Sequence, residues 1–300
     1  MGQIKAKNLS GSMVALVTPM SPDGQINFDQ WQQLIKMHLK AGTDGIIVGG
    51  TTGESALLTT TEMHALIESA VSLCQGHDTL VIVGTGTIDP NKVKQANKQA
   101  ANLGADAALV VTPYYLLLSQ QALYNHFKAI ADDAPLPIIL YNVPNRTGID
   151  ISSETTAKLA KLDAIIGIKE AKSDMTRIEK LLKNKDFSVL SGDDHSFVAA
   201  MTKGAHGVIS VAANVIPKTI KELCTLVQLG NINNAEKMND EIKPLCDFLF
   251  HEPNPCPLKS IMHAAELIDS GIRAPLVLTE IKPNELKRQL KTIETELNTL

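Results

Sequence analysis

Short apolar runs alternate with helical periodicity along most of the chain, and this alternation narrows the fold more than any other property of the sequence. The runs fall at residues 13–17, 45–48, 80–83, 107–111, 138–141, 165–169, 188–190 and 207–211. Each is continuous instead of alternating apolar with polar, the pattern of strands covered on both faces in a parallel sheet. Parallel neighbours need crossover connections, and the segments between the runs supply them. Trp31, Leu34, Ile35, His38 and Leu39 stripe one helical face, with Gly42 as its stop. Thr59 with Glu62 forms a capping box, Asp89 precedes Pro90 as a cap before a first-turn proline, and Gly104 ends that helix. Eight strands with a helix after most of them predict an α/β fold, a (β/α)8 TIM barrel, over an open doubly wound sheet, which stops near about six strands.

After the eighth run the pattern becomes helical throughout. Ile220, Leu223, Leu226 and Val227 come first, then Ala235, Met238, Ile242, Leu245 and Leu249, then residues 261–268 and 286–297. The expected division is a catalytic barrel over residues 1–230 and a C-terminal helical region over residues 231–300, available to cap the barrel or build a contact between subunits.

Composition excludes several classes of function. A formal charge of −4, a pI near 6.1 and 4% aromatic residues provide neither a basic stripe nor a stacking platform for nucleic acid. No apolar run approaches the roughly 18 residues of a membrane span, and residues 1–12 lack a signal-peptide pattern. Cys74, Cys224, Cys246 and Cys256 lie far apart with no zinc spacing, which predicts buried free thiols and fits a reducing cytoplasm. Gly84-Thr85-Gly86 lacks the spacing of a nucleotide fingerprint, so no cofactor is implied.

In such barrels chemistry sits where the strands end. Gly49 to Ser55 follow the second strand, Thr112-Pro113-Tyr114-Tyr115 the fourth and Tyr141 to Gly148 the fifth, while Lys169-Glu170 ends the sixth. An amine in a dry pocket loses hydration of its charge, which favours the neutral form that makes a Schiff base with a carbonyl. Tyr141 on the neighbouring strand is placed to relay protons, with Thr51 and Tyr115 as further hydroxyls. The other reading of Lys169 is a side chain that snorkels to the rim or pairs with Glu170. Arg146 carries a fork suited to a carboxylate, or is an ordinary loop arginine. Asp193, Asp194 and His195 are either weak metal candidates or caps for the helix toward Met201, the capping role being the stronger reading, with no metal expected.

Together these segments resemble one family, the pyruvate-dependent class I aldolases typified by dihydrodipicolinate synthase. The resemblance spans nearly the whole chain through Gly50 to Ser55, Thr112 to Tyr115, Tyr141 to Pro144, Arg146 to Gly148, Gly167 to Glu170, Ser191 to Asp194, Gly207 to Ser210 and Glu252 to Pro255. It implies pyruvate and L-aspartate semialdehyde as substrates, Lys169 as the Schiff-base lysine, and Tyr141, Thr51 and Tyr115 as a proton relay, Tyr115 reaching into a neighbouring subunit. It further implies Thr52 and the Ile209 backbone on the pyruvate carboxylate, Arg146 on that of the semialdehyde, and a homotetramer built from tight dimers. N-acetylneuraminate lyase and 2-keto-3-deoxy sugar acid aldolases share the fold and lysine; Arg146 is the feature that argues against a sugar substrate. Lysine-inhibited members of the family carry polar ligands where this chain has Thr60, Met63, Ile88 and Lys92, although Tyr114, Ser55 and Ala56 remain. Weak or absent inhibition by lysine is therefore expected, since a cationic effector meets an apolar side chain and a like charge.

Overall fold

The computed structural model describes residues 4–300. Its parallel strands are β1 (Gly11–Ala15), β2 (Gly45–Val48), β3 (Leu80–Gly84), β4 (Ala107–Val111), β5 (Ile138–Asn142), β6 (Ile165–Glu170), β7 (Ser188–Ser191) and β8 (Gly207–Ser210). They pair in chain order, and β8 closes on β1 to complete the barrel. Helices α1 (Phe28–Ala41), α2 (Thr60–Cys74), α3 (Pro90–Asn102) and α4 (Gln120–Ala131) follow the first four strands. A single turn, α5 (Pro144–Thr147), and α6 (Ser153–Leu159) follow β5; α7 (Met175–Leu181), α8 (Phe197–Thr202) and α9 (Pro217–Gln228) follow the last three strands. The tail is α10 (Ile232–Phe250), α11 (Cys256–Ala264) and α12 (Pro283–Leu297). Among the described residues no helix is long and apolar enough to cross a membrane.

The predicted stops and caps are where the helices begin and end. Gly42 closes α1 at φ 74°, Thr59 and Glu62 form the reciprocal box at α2, and Asp89 accepts from the Asn91 amide at α3. The first strand differs from its expected span of residues 13–17. Leu16 still donates to the Ile47 carbonyl at 3.2 Å, but the Val17 amide turns to Asn214 Oδ1 at 3.0 Å. The apolar run thus continues beyond the ladder into a buried loop, which hydropathy alone does not distinguish from strand.

Both strand faces are buried, but against different partners. Val14, Ile46, Val81, Ala108, Leu140 and Val189 point outward into one cluster with the helices. Met13, Ile47, Ile82, Leu109, Ile139 and Leu190 fill the barrel interior. The outer cluster continues into the tail through Ala235, Leu245, Leu249, Leu258 and Ile293. All four cysteines are free and buried, as expected.

Polar contacts then fasten the tail to the barrel. Glu296 of α12 accepts from the Thr219 amide at 3.1 Å and from the Lys218 amide, satisfying free N–H groups at the start of α9, which has no side-chain cap of its own. Arg273 clasps Glu62 and the carbonyls of Gly24 and Leu57, and its guanidinium holds the Glu62 carboxyl at about 2, well below the usual range. Lys259 of α11 is fully buried, donating to the Thr18 carbonyl at 3.0 Å and to Glu54, whose side chain is also fully buried. Burial pushes the Lys259 amine below its ordinary value, while the Glu54 carboxylate raises it. Glu54→Ala leaves that ammonium buried without its counter-ion and is expected to cost roughly 3–5 kcal/mol. Replacing both partners with Glu54→Leu and Lys259→Met is expected to recover most of the loss; urea denaturation of the two variants checks the pair.

Candidate active site

Strand pairing sets the centre of the site. In the β5–β6 ladder Tyr141 stands directly opposite Lys169, and the Lys169 Nζ lies 4.6 Å from the centre of the Tyr141 ring. Both are more than nine-tenths buried, with 8% and 5% of their surface exposed. The inward aim of Lys169 depends on a bulge. Ile138 pairs with Ile165 but Ile139 pairs with Gly167, so Ile166 is an extra residue in β6. Ile166 packs inside the barrel and Ile168, two residues on, packs outside, which reverses the ordinary period of two.

The same reversal turns Glu170 outward, away from the amine, and removes the alternative Lys169–Glu170 pair. Glu170 is fully buried behind the site, bonded by Arg177 Nε at 2.5 Å and by the Asn142 amide at 2.9 Å. Burial pushes its carboxyl up, while Arg177 and Asn142 pull it back. Asn142 also donates to Asp150 at 2.8 Å and accepts from the Ile151 amide, so β5 and β6 are tied together immediately behind Tyr141 and Lys169.

Around the amine lies a cavity of about 190 Å³, lined by Thr51, Thr52, Tyr141, Arg146, Lys169 and Asn254 among others. Thr51 and Thr52 arrive on the loop after β2. That loop approaches β3 so closely that a Cβ on Gly84 would stand 2.1 Å from the Gly49 carbonyl oxygen, so a glycine is required there. Gly192 plays a similar part beside Lys169, where a Cβ would stand 2.8 Å from the lysine Cε. The Ile209 side chain packs in the barrel interior and Val211, two residues on, lines the cavity. A larger groove of about 820 Å³ adjoins it between α2 and α3, sharing Thr51, Tyr141 and Arg146 and bordered by Met63, Lys92 and Tyr114.

Three other candidates from the sequence lie apart from the amine. Tyr115 is not in the cavity: it is 86% exposed at φ 74°, at the head of the exposed segment that includes Leu116 and Leu117. Asp194 does not cap α8; it accepts from the Val211 amide at 2.9 Å and the Ala212 amide at 3.2 Å, joining the loop after β7 to that after β8. Asp193 contacts Ser196, faces His195 and lines the cavity, while Asp194 turns to the loop after β8, so the two carboxylates do not meet on the imidazole.

Asn254 carries a role that the sequence did not assign. Its Nδ2 donates to Thr52 Oγ1 at 3.0 Å, its backbone carbonyl accepts from Arg146 Nη2 at 2.8 Å, and its Oδ1 is buried with no partner among the described residues. The available signal was Glu252-Pro253-Asn254-Pro255, a turn-rich break between two helical patterns. It lies in the tail, so no argument from strand ends reaches it. The arrangement offers a buried amine beside a phenol in a small cavity, with a guanidinium and amide at one side. That set suits carbonyl chemistry on a compact anionic substrate.

Known proteins resemble the chain over nearly its whole length. The model of the dihydrodipicolinate synthetase family matches residues 8–293. A 4-hydroxy-tetrahydrodipicolinate synthase of Coxiella burnetii is 44% identical over 267 residues, 89% of this chain and 92% of that protein. One from Neisseria gonorrhoeae is 42% identical over 286 residues, 94% and 98% of the two chains. Among solved structures, the chloride-inhibited dihydrodipicolinate synthase of Acinetobacter baumannii complexed with pyruvate superposes with a TM-score of 0.90 at 39% identity, over 97% of this chain and 100% of that one. With a family match over nearly the full length and a solved relative that shares the barrel, the chain belongs to the dihydrodipicolinate synthetase family.

Proposed function

We propose that the protein is a lyase of the class I aldolase type that condenses pyruvate with L-aspartate semialdehyde to 4-hydroxy-tetrahydrodipicolinate, in diaminopimelate and lysine biosynthesis. The observation that carries this reading is the level pairing of Lys169 and Tyr141 inside one buried cavity. The Lys169 amine adds to the ketone carbon of pyruvate, and loss of water gives an imine. That imine draws electrons from the adjacent methyl group, which loses a proton to become an enamine. The enamine carbon attacks the aldehyde carbon of the semialdehyde. The substrate's amine then displaces Lys169 from the imine carbon and closes the ring, which leaves the amine ready for another cycle.

Tyr141 and Thr51 carry protons to and from these intermediates, and Thr52 with the Ile209 backbone holds the pyruvate carboxylate. Arg146 takes the carboxylate of the semialdehyde, steadied by the Asn254 carbonyl. Tyr115 completes the relay from a second copy of the chain. Its exposure beside Leu116 and Leu117 supports this, because a contact across that loop buries an apolar patch and moves a phenol off its own subunit. The family resemblance supports tight dimers paired into a homotetramer, with the barrel up to residue 230, of which residues 1–3 lie outside those described, for the chemistry and a helical region over residues 231–300 closing the acceptor side. A cytoplasmic address keeps the four free thiols reduced.

Incubation with pyruvate and borohydride, read by intact-protein mass spectrometry, is expected to trap one pyruvate per chain, and none in Lys169→Ala. An adduct that survives in Lys169→Ala, or no adduct in the parent protein, overturns the mechanism. Arg146→Ala is expected to raise KM for the semialdehyde by about tenfold or more, with KM for pyruvate changed far less; equal effects on both remove the assigned role. Met63 and Lys92 border the groove that also holds Ser55, Ala56 and Tyr114, so lysine titrated into the assay is expected to inhibit weakly or not at all. Inhibition at micromolar lysine contradicts that reading of the groove.

A further inference from the structure

Between the barrel and α10 a single imidazole links two walls of the cavity. His195 lies on the loop after β7, which contributes Gly192 and Asp193 to the cavity lining. Its Nε2 stands 3.1 Å from Asp247 Oδ1 on α10, and its ring centre lies 5.5 Å from that of Phe250 with the planes tilted by 57°. Its Nδ1 is 3.8 Å from Asp193 Oδ1. Phe250 is the last residue of α10 and lines the same cavity; the chain then turns through residues 251–253 to Asn254, which bonds Thr52 and Arg146. A second tie runs parallel, from Cys246 Sγ to the Asp194 carbonyl at 4.0 Å.

Asp194 anchors the loop to the backbone after β8, and Gly192 packs against the Lys169 stem. The last turns of α10 pack into the core through Leu245, Phe248 and Leu249, and His195 adds a polar tie from the loop to the opposite, exposed side of the helix. We propose that His195 is a positioning residue that pins the end of α10, and through it Phe250 and Asn254, so that the acceptor end of the cavity keeps the spacing needed for the aldehyde substrate. An exposed ion pair alone contributes little to stability. What sets His195 apart is that two residues it touches, Asp193 on the loop and Phe250 on α10, line the cavity, where a displacement of about 1 Å is enough to slow a reaction about a hundredfold. The amine and the phenol, placed by the pairing of β5 with β6, do not depend on this link. The inference rests on the reaction proposed above.

The test is a split in kinetics. His195→Ala is expected to raise KM for L-aspartate semialdehyde about five- to tenfold, with a smaller rise in KM for pyruvate and with borohydride trapping at saturating pyruvate within about twofold of the parent protein. Asp247→Ala, which removes the other partner at a largely exposed position, is expected to reproduce the split. His195→Gln keeps a donor toward Asp247 and is expected to restore part of the affinity. An unchanged KM for the semialdehyde in both alanine variants, with trapping intact, overturns the positioning role alone. Equal loss of trapping and of semialdehyde affinity also overturns it, by making His195 a support of the whole barrel. Failure of the parent protein to trap pyruvate removes the Schiff-base reading and this inference with it.

Discussion

The extra residue in β6 is the constraint on which the site depends. A strand in a closed barrel sends alternate side chains to the interior and to the helix layer. Counted regularly from Ile166, which faces inward, that alternation would send Lys169 outward among the helices and Glu170 into the cavity. The bulge between Ile165 and Gly167 restores the phase that the pairing with β5 demands, so that Tyr141 and Lys169 share the interior and Asn142 and Glu170 share the exterior. A Cβ on Gly167 would stand 2.7 Å from the Ser188 carbonyl oxygen, so the irregular stretch also needs a residue without a side chain. The buried Glu170, Arg177 and Asn142 contacts then lock the outward face, which holds the inward one.

The two ends of the cavity are therefore built by different means. The lysine end is made of strand residues whose positions follow from backbone pairing, the stiffest element in the fold. The acceptor end is made of loop and tail: Arg146 on a single helical turn, Asn254 after α10, and Asp193 after β7. Besides the apolar packing of the tail, hydrogen bonds hold these together, among them Asn254 Nδ2 to Thr52 and Arg146 to the Asn254 carbonyl. A shared lysine with a variable acceptor is the division of labour this construction permits, because loop contacts can change without disturbing the strands.

Much of the barrel was legible in the sequence. Continuous apolar runs meant strands covered on both faces, and caps such as Asp89 and stops such as Gly42 act through neighbours a few residues away. The first strand was misplaced by two residues because Leu16 and Val17 are as buried as strand residues but belong to a loop held by Asn214. Asn254 and Glu54 stand within recognisable motifs, but nothing in their local sequence reveals their roles. Their partners, Thr52 and Arg146 for one and Lys259 for the other, lie about two hundred or one hundred residues away, as the separations of 202, 108 and 205 positions record.

The sequence by itself determined the fold class and the kinds of chemistry on hand, because hydrophobic periodicity and capping are local and an amine at a strand end is visible as such. Tertiary structure alone decided which way the amine points. That outcome depends on a register shift between two strands, and register belongs to the pair instead of to either segment. It also decided that a tail asparagine closes the cavity over Thr52 and Arg146, since only the packing of α10 brings position 254 to the barrel mouth.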